Sequence, residues 1–331
     1  MSPAVQRLRK SGYFRRGLIS IANLATVYSK PVATTPAIRL NHLSKSYGGS
    51  RGIEDISFDV MPGEVFGFLG PNGAGKTTAL RTLVGLIKAT SGSAEILGQP
   101  VSTSSVALRA QIGYLPGALS TYKGYTALQY LQFIAQIRGR ECDVKIEEYA
   151  SRLQLDLHRK ISELSKGNRQ KVGVIQAFMH LPSVLLLDEP TSGLDPIVQR
   201  EFEAILDEAK SRGAAVILSS HVLSEVEHLA DRVAIINEGK ILVVAKISTL
   251  KENSPRTIDM YFKDPVDASI FSSVPSITNV EVQKSRVSCT LIGSEAQLLS
   301  VALAHGLESV RTHEPSLDEI SVSLVRNEGR Q

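Results

Sequence analysis

The sequence predicts an α/β fold built on a largely parallel sheet, with a smaller α+β domain behind it. Two observations predict this. First, the apolar runs "EVFGFLG", "SVLLLDEP" and "AAVILSSH" alternate with amphipathic helical stretches. Strands buried on both faces and joined by covering helices give that pattern. Second, the composition shifts near Lys251, where "KENSPR" reads as a linker. A chain of 331 residues is long enough for one large domain and one small one.

The elements follow in order. Residues 1–36 read as a tail that ends in "KPVATTPA". "AIRLNHLS" and "ISFDV" are strand-like, and "EVFGFLG" follows them. The spacing of Leu80, Leu83, Leu86 and Ile87 predicts a helix over "KTTALRTLVGLIK". "SGSAEILG" is a turn and a strand. The stretch 119–163 is mostly helical, "TALQYLQFIAQIRG" most clearly, and its aromatics Tyr122, Tyr125, Tyr130 and Phe133 are expected to pack inside. "LSKGNRQKV" opens a helix through Met179, with Ser165 as its N-cap. "PIVQREFEAILDEAK" is a further helix, and "DRVAIINEGKILVVA" a hairpin turning at Glu238-Gly239. Beyond the linker come "TIDMYF", "ITNVEVQ", "RVSCTLIG", a helix from about Ser294 to His305, and "LESVRTHEPSLDEI". Together they make a small α+β domain over 255–328.

Composition narrows the function. The formal charge of +4 does not argue for nucleic acid, and no nucleic-acid partner is expected. The charge is uneven. No acid precedes Glu54, whereas Arg7, Arg9, Lys10, Arg15, Arg16, Lys30, Arg39 and Lys45 do. Such a leader is a disordered extension, a membrane-surface arm or a targeting peptide. Cys142 and Cys289 lie far apart, which fits a reducing compartment and argues against a disulfide scaffold or a cysteine zinc site. No stretch approaches the roughly 18 apolar residues of a membrane span. The chain is therefore expected to be soluble by itself.

"GPNGAGKTT" at 70–78 matches the P-loop pattern, after an apolar strand and before an amphipathic helix. Gly70, Pro71, Asn72, Gly73, Ala74 and Gly75 curl the backbone so that amides point at one phosphate, and the helix dipole adds to them. Lys76 supplies a point charge for the terminal phosphates, and Thr77, next to Thr78, offers a hydroxyl to Mg²⁺. "VLLLDEP" at 184–190 is a buried strand whose end presents two carboxylates. Asp188 can hold Mg²⁺ through water, and Glu189 is placed to orient or deprotonate the attacking water.

Further motifs in matching order give a family resemblance over roughly residues 37–246. "LSKGN" at 164–168 resembles the LSGGQ signature of the nucleotide-binding subunits of ABC transporters. "SGLD" at 192–195 resembles their D-loop, "SSH" their switch histidine at His221, and "SYGG" places Tyr47 where the family stacks an aromatic on adenine. The resemblance implies a P-loop NTPase with a RecA-like core, a helical subdomain at about 119–163 and an antiparallel β subdomain, followed by the C-terminal domain. It implies ATP and Mg²⁺ as cofactors. Lys76, Glu189 and His221 would act in cis. Ser165, Gly167, Asn168 and Asp195 would act in trans, on ATP held by the P-loop of a second subunit. Unsatisfied amides at the start of the signature helix suit that task, and Gly167 permits close approach.

The partners it implies are a second ATPase subunit, most simply an identical one, and separate membrane-spanning permease subunits. The location it implies is the cytoplasmic face of the membrane, held there by the permease. "LPG" at 115–117 and "HEPSLDEI" at 313–320 resemble exporter-type members. The departures are Lys166 and Asn168 in the signature, and Gly117 where many members carry the Q-loop glutamine. Gln111, upstream, is not expected to replace it. His305 and His313 are expected to be surface or structural residues. The expected function is an ATPase that powers an exporter. The alternatives are a regulatory or weakly hydrolysing ATP-binding module and a soluble, non-transport ABC ATPase.

Overall fold

A computed structural model describes residues 35–48, 52–102, 104–119, 124–252, 255–272 and 274–313. The basic leader before Thr35, Tyr122 and the residues after His313 lie outside the described part.

Three apolar runs make the middle of the main sheet: β3 (Val65–Leu69), β7 (Val184–Asp188) and β8 (Ala215–Ser220), each buried at every position. Around them lie β1 (Ile38–Ser46), β2 (Gly52–Val60), β4 (Ser91–Ile96), β5 (Gln99–Pro100), β6 (Ile112–Leu115), β9 (Arg232–Asn237) and β10 (Lys240–Lys246). The six-stranded sheet runs β10-β9-β3-β8-β7-β6. It is parallel from β9 to β6, with β10 antiparallel at one edge. The hairpin to β10 turns at Glu238 and Gly239, both with positive φ. A second, antiparallel sheet has the order β2-β1-β4-β5.

Because side chains alternate across a strand, each central strand feeds two cores. Val65, Leu185, Leu187, Val216 and Leu218 join one cluster. That cluster includes helices α3 (Ala127–Ile137), α4 (Asp143–Arg152), α5 (Lys166–Phe178) and α6 (Pro196–Ser211). Phe66, Phe68, Val184, Leu186 and Ile217 join the other, with β1, β2 and helix α1 (Lys76–Leu83). Short helices α2 (Val106–Arg109), α7 (Leu223–Leu229) and α8 (Ile247–Glu252) complete this part.

Register then positions the chemistry. Leu69 pairs with Ser220, and Asp188 pairs with Ser219. The carboxyl ends of β3, β7 and β8 are therefore neighbours, and the loops that leave them converge, as at any ligand crevice of an open α/β sheet.

Three local expectations need correcting. Helix α1 stops at Leu83 because the chain turns at Gly85 (φ 72), so Leu86 leaves the predicted stripe and is 60 % exposed. Lys251 and Glu252 of the expected linker belong to α8. Of the aromatics assigned to the helical stretch, Tyr130 is buried, but Tyr125 is exposed and stacks on Phe133 at 6.1 Å.

Behind Arg256 a third sheet forms from β11 (Arg256–Phe262), β12 (Ile277–Gln283), β13 (Arg286–Leu291) and β14 (Leu307–His313), in the order β12-β13-β11-β14. It has its own core, in which Ile258, Met260, Val287 and Leu291 meet Leu298 and Ala302 of helix α9 (Ala296–Ala304). Cys289 lies in this core and Cys142 in the first, both as free thiols.

Candidate functional site

The loop between β3 and α1 is the P-loop. Gly75 caps α1 in the left-handed region (φ 111), where an added Cβ would also stand 2.7 Å from Gly52 O, so only glycine fits. The turn brings Lys76 back over its own loop. Its ammonium, on a residue 5 % exposed, donates to Gly70 O at 2.6 Å and Pro71 O at 3.2 Å. Its third oxygen neighbour is Glu189 Oε1 at 3.8 Å. Burial holds the Lys76 pKa below the ordinary lysine value, while Glu189 and Asp188 pull it back up.

The acids arrive from β7. Asp188, 2 % exposed, accepts from Thr77 Oγ1 at 2.7 Å on one oxygen and from Ser219 Oγ at 2.6 Å on the other. Glu189 has φ 52, and its amide is held by Ser219 O at 3.1 Å and Oγ at 3.2 Å. His221, just past β8, sets Nδ1 at 2.9 and 2.8 Å from the two Glu189 oxygens. An ionised carboxylate only accepts, so this pair puts the proton on Nδ1.

Lys76, Thr77 and Glu189 line a cavity of about 410 Å³, whose walls also include Tyr47, Asn72 and Arg81. Tyr47 is 56 % exposed and presents its ring, with Lys45 Nζ 5.2 Å from the centroid. A second cleft of about 450 Å³ lies beside the end of α1, but Lys88 is its only charged lining residue and no acid–base pair lines it. The first cavity therefore carries the chemistry.

Thr77 in that cavity and Asp188 bonded behind it fit Mg²⁺. Among the described residues no cluster of three His, Cys, Asp or Glu exists. A cation completed by phosphate and water needs no such cluster. The hard oxygens of Thr77 and Asp188, already adjacent, match it. Gly117 lies beside this point, where an added Cβ would be 3.1 Å from Asp188 Oδ2. Gln111 precedes β6, and nothing places it at the carboxylates.

The four residues expected to act in trans stand apart. None of Ser165, Gly167, Asn168 and Asp195 is among the cavity's lining residues. Ser165 is an exposed N-cap whose Oγ accepts from Asn168 N at 3.1 Å. Lys166 is exposed and reaches Ser192 Oγ at 3.4 Å. Asp195 caps α6 by accepting from Ile197 N and Val198 N. The Val198 amide, with the Ile197 amide, holds its carboxyl below the usual carboxylate range. His305 bonds its own helix at Val301 O, and His313 pairs with Asp259 at 3.3 Å.

Sequence reasoning did not single out Ser219, Gln170, Arg81 or Glu225. Ser219 ties both acids to β8. Gln170 donates to Glu189 O and Pro190 O. Glu225 accepts from Thr191 Oγ1 at 2.6 Å. Ser219 sits inside a recognised motif and Gln170 two residues beyond one, and that was the only signal available for them.

Known proteins are similar to this chain. The ABC transporter family matches over residues 53–192. The bacitracin transport ATP-binding protein BcrA of Bacillus licheniformis is 32 % identical over 296 residues, 87 % of this chain and 97 % of that protein. The Nod factor export ATP-binding protein I of Paraburkholderia xenovorans (strain LB400) is 31 % identical over 301 residues, 88 % of this chain and 98 % of that protein. A solved ATP-binding subunit of an ABC transporter superposes with a TM-score of 0.61 at 28 % identity, covering 66 % of this chain and 92 % of that one. The chain belongs to the ATP-binding subunits of ABC transporters.

Proposed function

We propose that this subunit hydrolyses ATP as one half of a head-to-tail dimer and so drives export through separate membrane-spanning subunits. One observation carries the catalytic reading: at the ends of β3, β7 and β8, Thr77 bonds Asp188 and His221 bonds Glu189, and the Lys76 ammonium lies 3.8 Å from Glu189. Tyr47 stacks on the base, and the P-loop amides with Lys76 hold the phosphates. Mg²⁺, when bound, would be held by Thr77 and, through water, by Asp188, and would neutralise phosphate charge. Glu189 orients the attacking water and accepts its proton, and His221 fixes the Glu189 carboxylate.

The dimer reading is supported by the absence of Ser165 and Gly167 from the walls of this subunit's own cavity. An exposed helix start with free amides is suited to a phosphate presented from outside. Export rests on the names of the relatives. Their alignments, 296 and 301 residues long, cannot fit inside 37–246 and therefore reach into the C-terminal domain. Among the described residues no helix is long and apolar enough to cross a membrane. In this reading the permease is a separate chain that holds this one at the cytoplasmic face.

Steady-state ATPase assays test the reading. Glu189→Gln should lower turnover by about a hundredfold or more while ATP still binds. A wild type no faster than this variant would leave only a nucleotide-responsive binding module. Specific activity should also fall on dilution; full activity of an isolated monomer would rule out the shared site. Recovery of a multispanning chain with the protein from membranes would test the partner.

A further inference from the structure

Glu189 is gripped from two sides. On one side Ser219 accepts its amide proton through both O and Oγ. On the other lies the start of α5. Gln170, 8 % exposed, donates its two amide hydrogens to Glu189 O at 3.0 Å and Pro190 O at 3.1 Å. Glu189 O also accepts from Ser192 N at 3.2 Å, which turns the chain toward Gly193. One turn earlier in α5, Gly167 lies so close to Gly193 O that no Cβ fits, and Lys166 reaches Ser192. Segment 189–193 thus rests on the first turns of α5 at residues 166, 167 and 170.

Glu189 itself sits at φ 52, a region that residues with a Cβ enter only when their surroundings hold them there. The direction of its carboxylate follows from that backbone conformation. A glutamine amide suits the task. It is neutral, and one nitrogen offers two hydrogens to two successive carbonyls.

We propose that Gln170 is a positioning residue that makes the aim of Glu189 depend on where α5 sits. Capture of a partner's nucleotide by Ser165 and Gly167 then sets the base in this subunit's own site. The inference rests on the head-to-tail reading given above. It adds an intrachain link, three residues beyond Gly167, between the half-site offered to the partner and the half-site used at home.

The test is Gln170→Met in the full chain, which keeps length and packing and removes both hydrogen bonds. The kcat for ATP should fall about tenfold or more while the ATP Kd stays within about twofold. ATP-driven dimerisation, read by light scattering on Gln170→Met/Glu189→Gln, should match that of Glu189→Gln alone. An unchanged kcat overturns the proposal. So does a loss of kcat matched by an equal loss of ATP affinity or dimerisation, because Gln170 would then hold the fold and not the base. If ATP fails to dimerise Glu189→Gln itself, the head-to-tail reading falls, and the coupling falls with it whatever Gln170→Met does to kcat.

Discussion

Ser219 is the residue on which both acids depend. It donates to Asp188 at 2.6 Å and accepts from the Glu189 amide, with no exposed surface of its own. Ser219→Ala should cost about 1–3 kcal/mol of stability, the usual loss when a buried charge-assisted hydrogen bond goes unmade. It should also raise the Mg²⁺ concentration for half-maximal ATPase, because Asp188 then keeps only its bond from Thr77. Urea unfolding and Mg²⁺ titration check the two halves.

His180 gives a pH signature. Burial, then the Arg138 guanidinium beside Nε2, push its pKa down to about 4 from 6.5. The unfolded chain takes up a proton between those values and the folded chain does not, so stability falls as pH drops from about 6.5 toward 4 and levels off below. His180→Gln should remove about 2 kcal/mol of the loss between pH 6.5 and 4.5, seen as a flatter unfolding midpoint against pH. Lys76, Thr77, Asp188, Glu189 and His221 were legible in the sequence because each belongs to a compact local motif. Ser219 and Gln170 were not, because their partners lie 31 and 19 residues away and only the folded sheet brings them together.

Helix α5 shows what an element adds. Its start was readable, since serine at an N-cap with polar residues after it is a local signal. In the sequence Gly167 reads as clearance for a phosphate from outside. The structure adds a second reason, the carbonyl of Gly193, in a loop that no local pattern connects to it. Gly167→Ala improves helix propensity by up to about 1 kcal/mol but forces that loop to move. Turnover should fall about tenfold or more while ATP affinity at the subunit's own P-loop is kept, as expected when reacting groups are displaced and binding groups are not. Comparing kcat with the Kd for a fluorescent ATP analogue separates the two. The end of α1 was misplaced for the converse reason. The stripe through Leu86 is real in sequence, but the turn at Gly85 outranks it.

At the scale of the molecule, the fold class followed from three apolar strands and the helices between them. Their order in space did not, because β3 lies between β8 and β9, which come late in the chain. The C-terminal part was legible as α+β, and it forms a core with none of the ATPase clusters' residues. Leu298, fully buried there, should lose about 2–5 kcal/mol on truncation to Ala. Calorimetry should show that loss in one transition only, while ATP raises the other.

The placement of β3 also sets when this protein can become active during its synthesis. The strand that launches the P-loop acquires its two sheet neighbours only when Ala215–Ser220 and Arg232–Asn237 exist. The P-loop's own brace is later still, through the amide of Gly239 to Ala74 O and the carbonyl of Gly239 to the Glu54 amide. A nascent chain ending before Ala215 carries the whole phosphate-binding sequence with neither neighbour. Such non-local pairing is slow to close and leaves apolar strand edges bare while it waits. Until the hairpin emerges, the ribosome therefore holds a chain that can be read as an ATPase and cannot yet hold ATP.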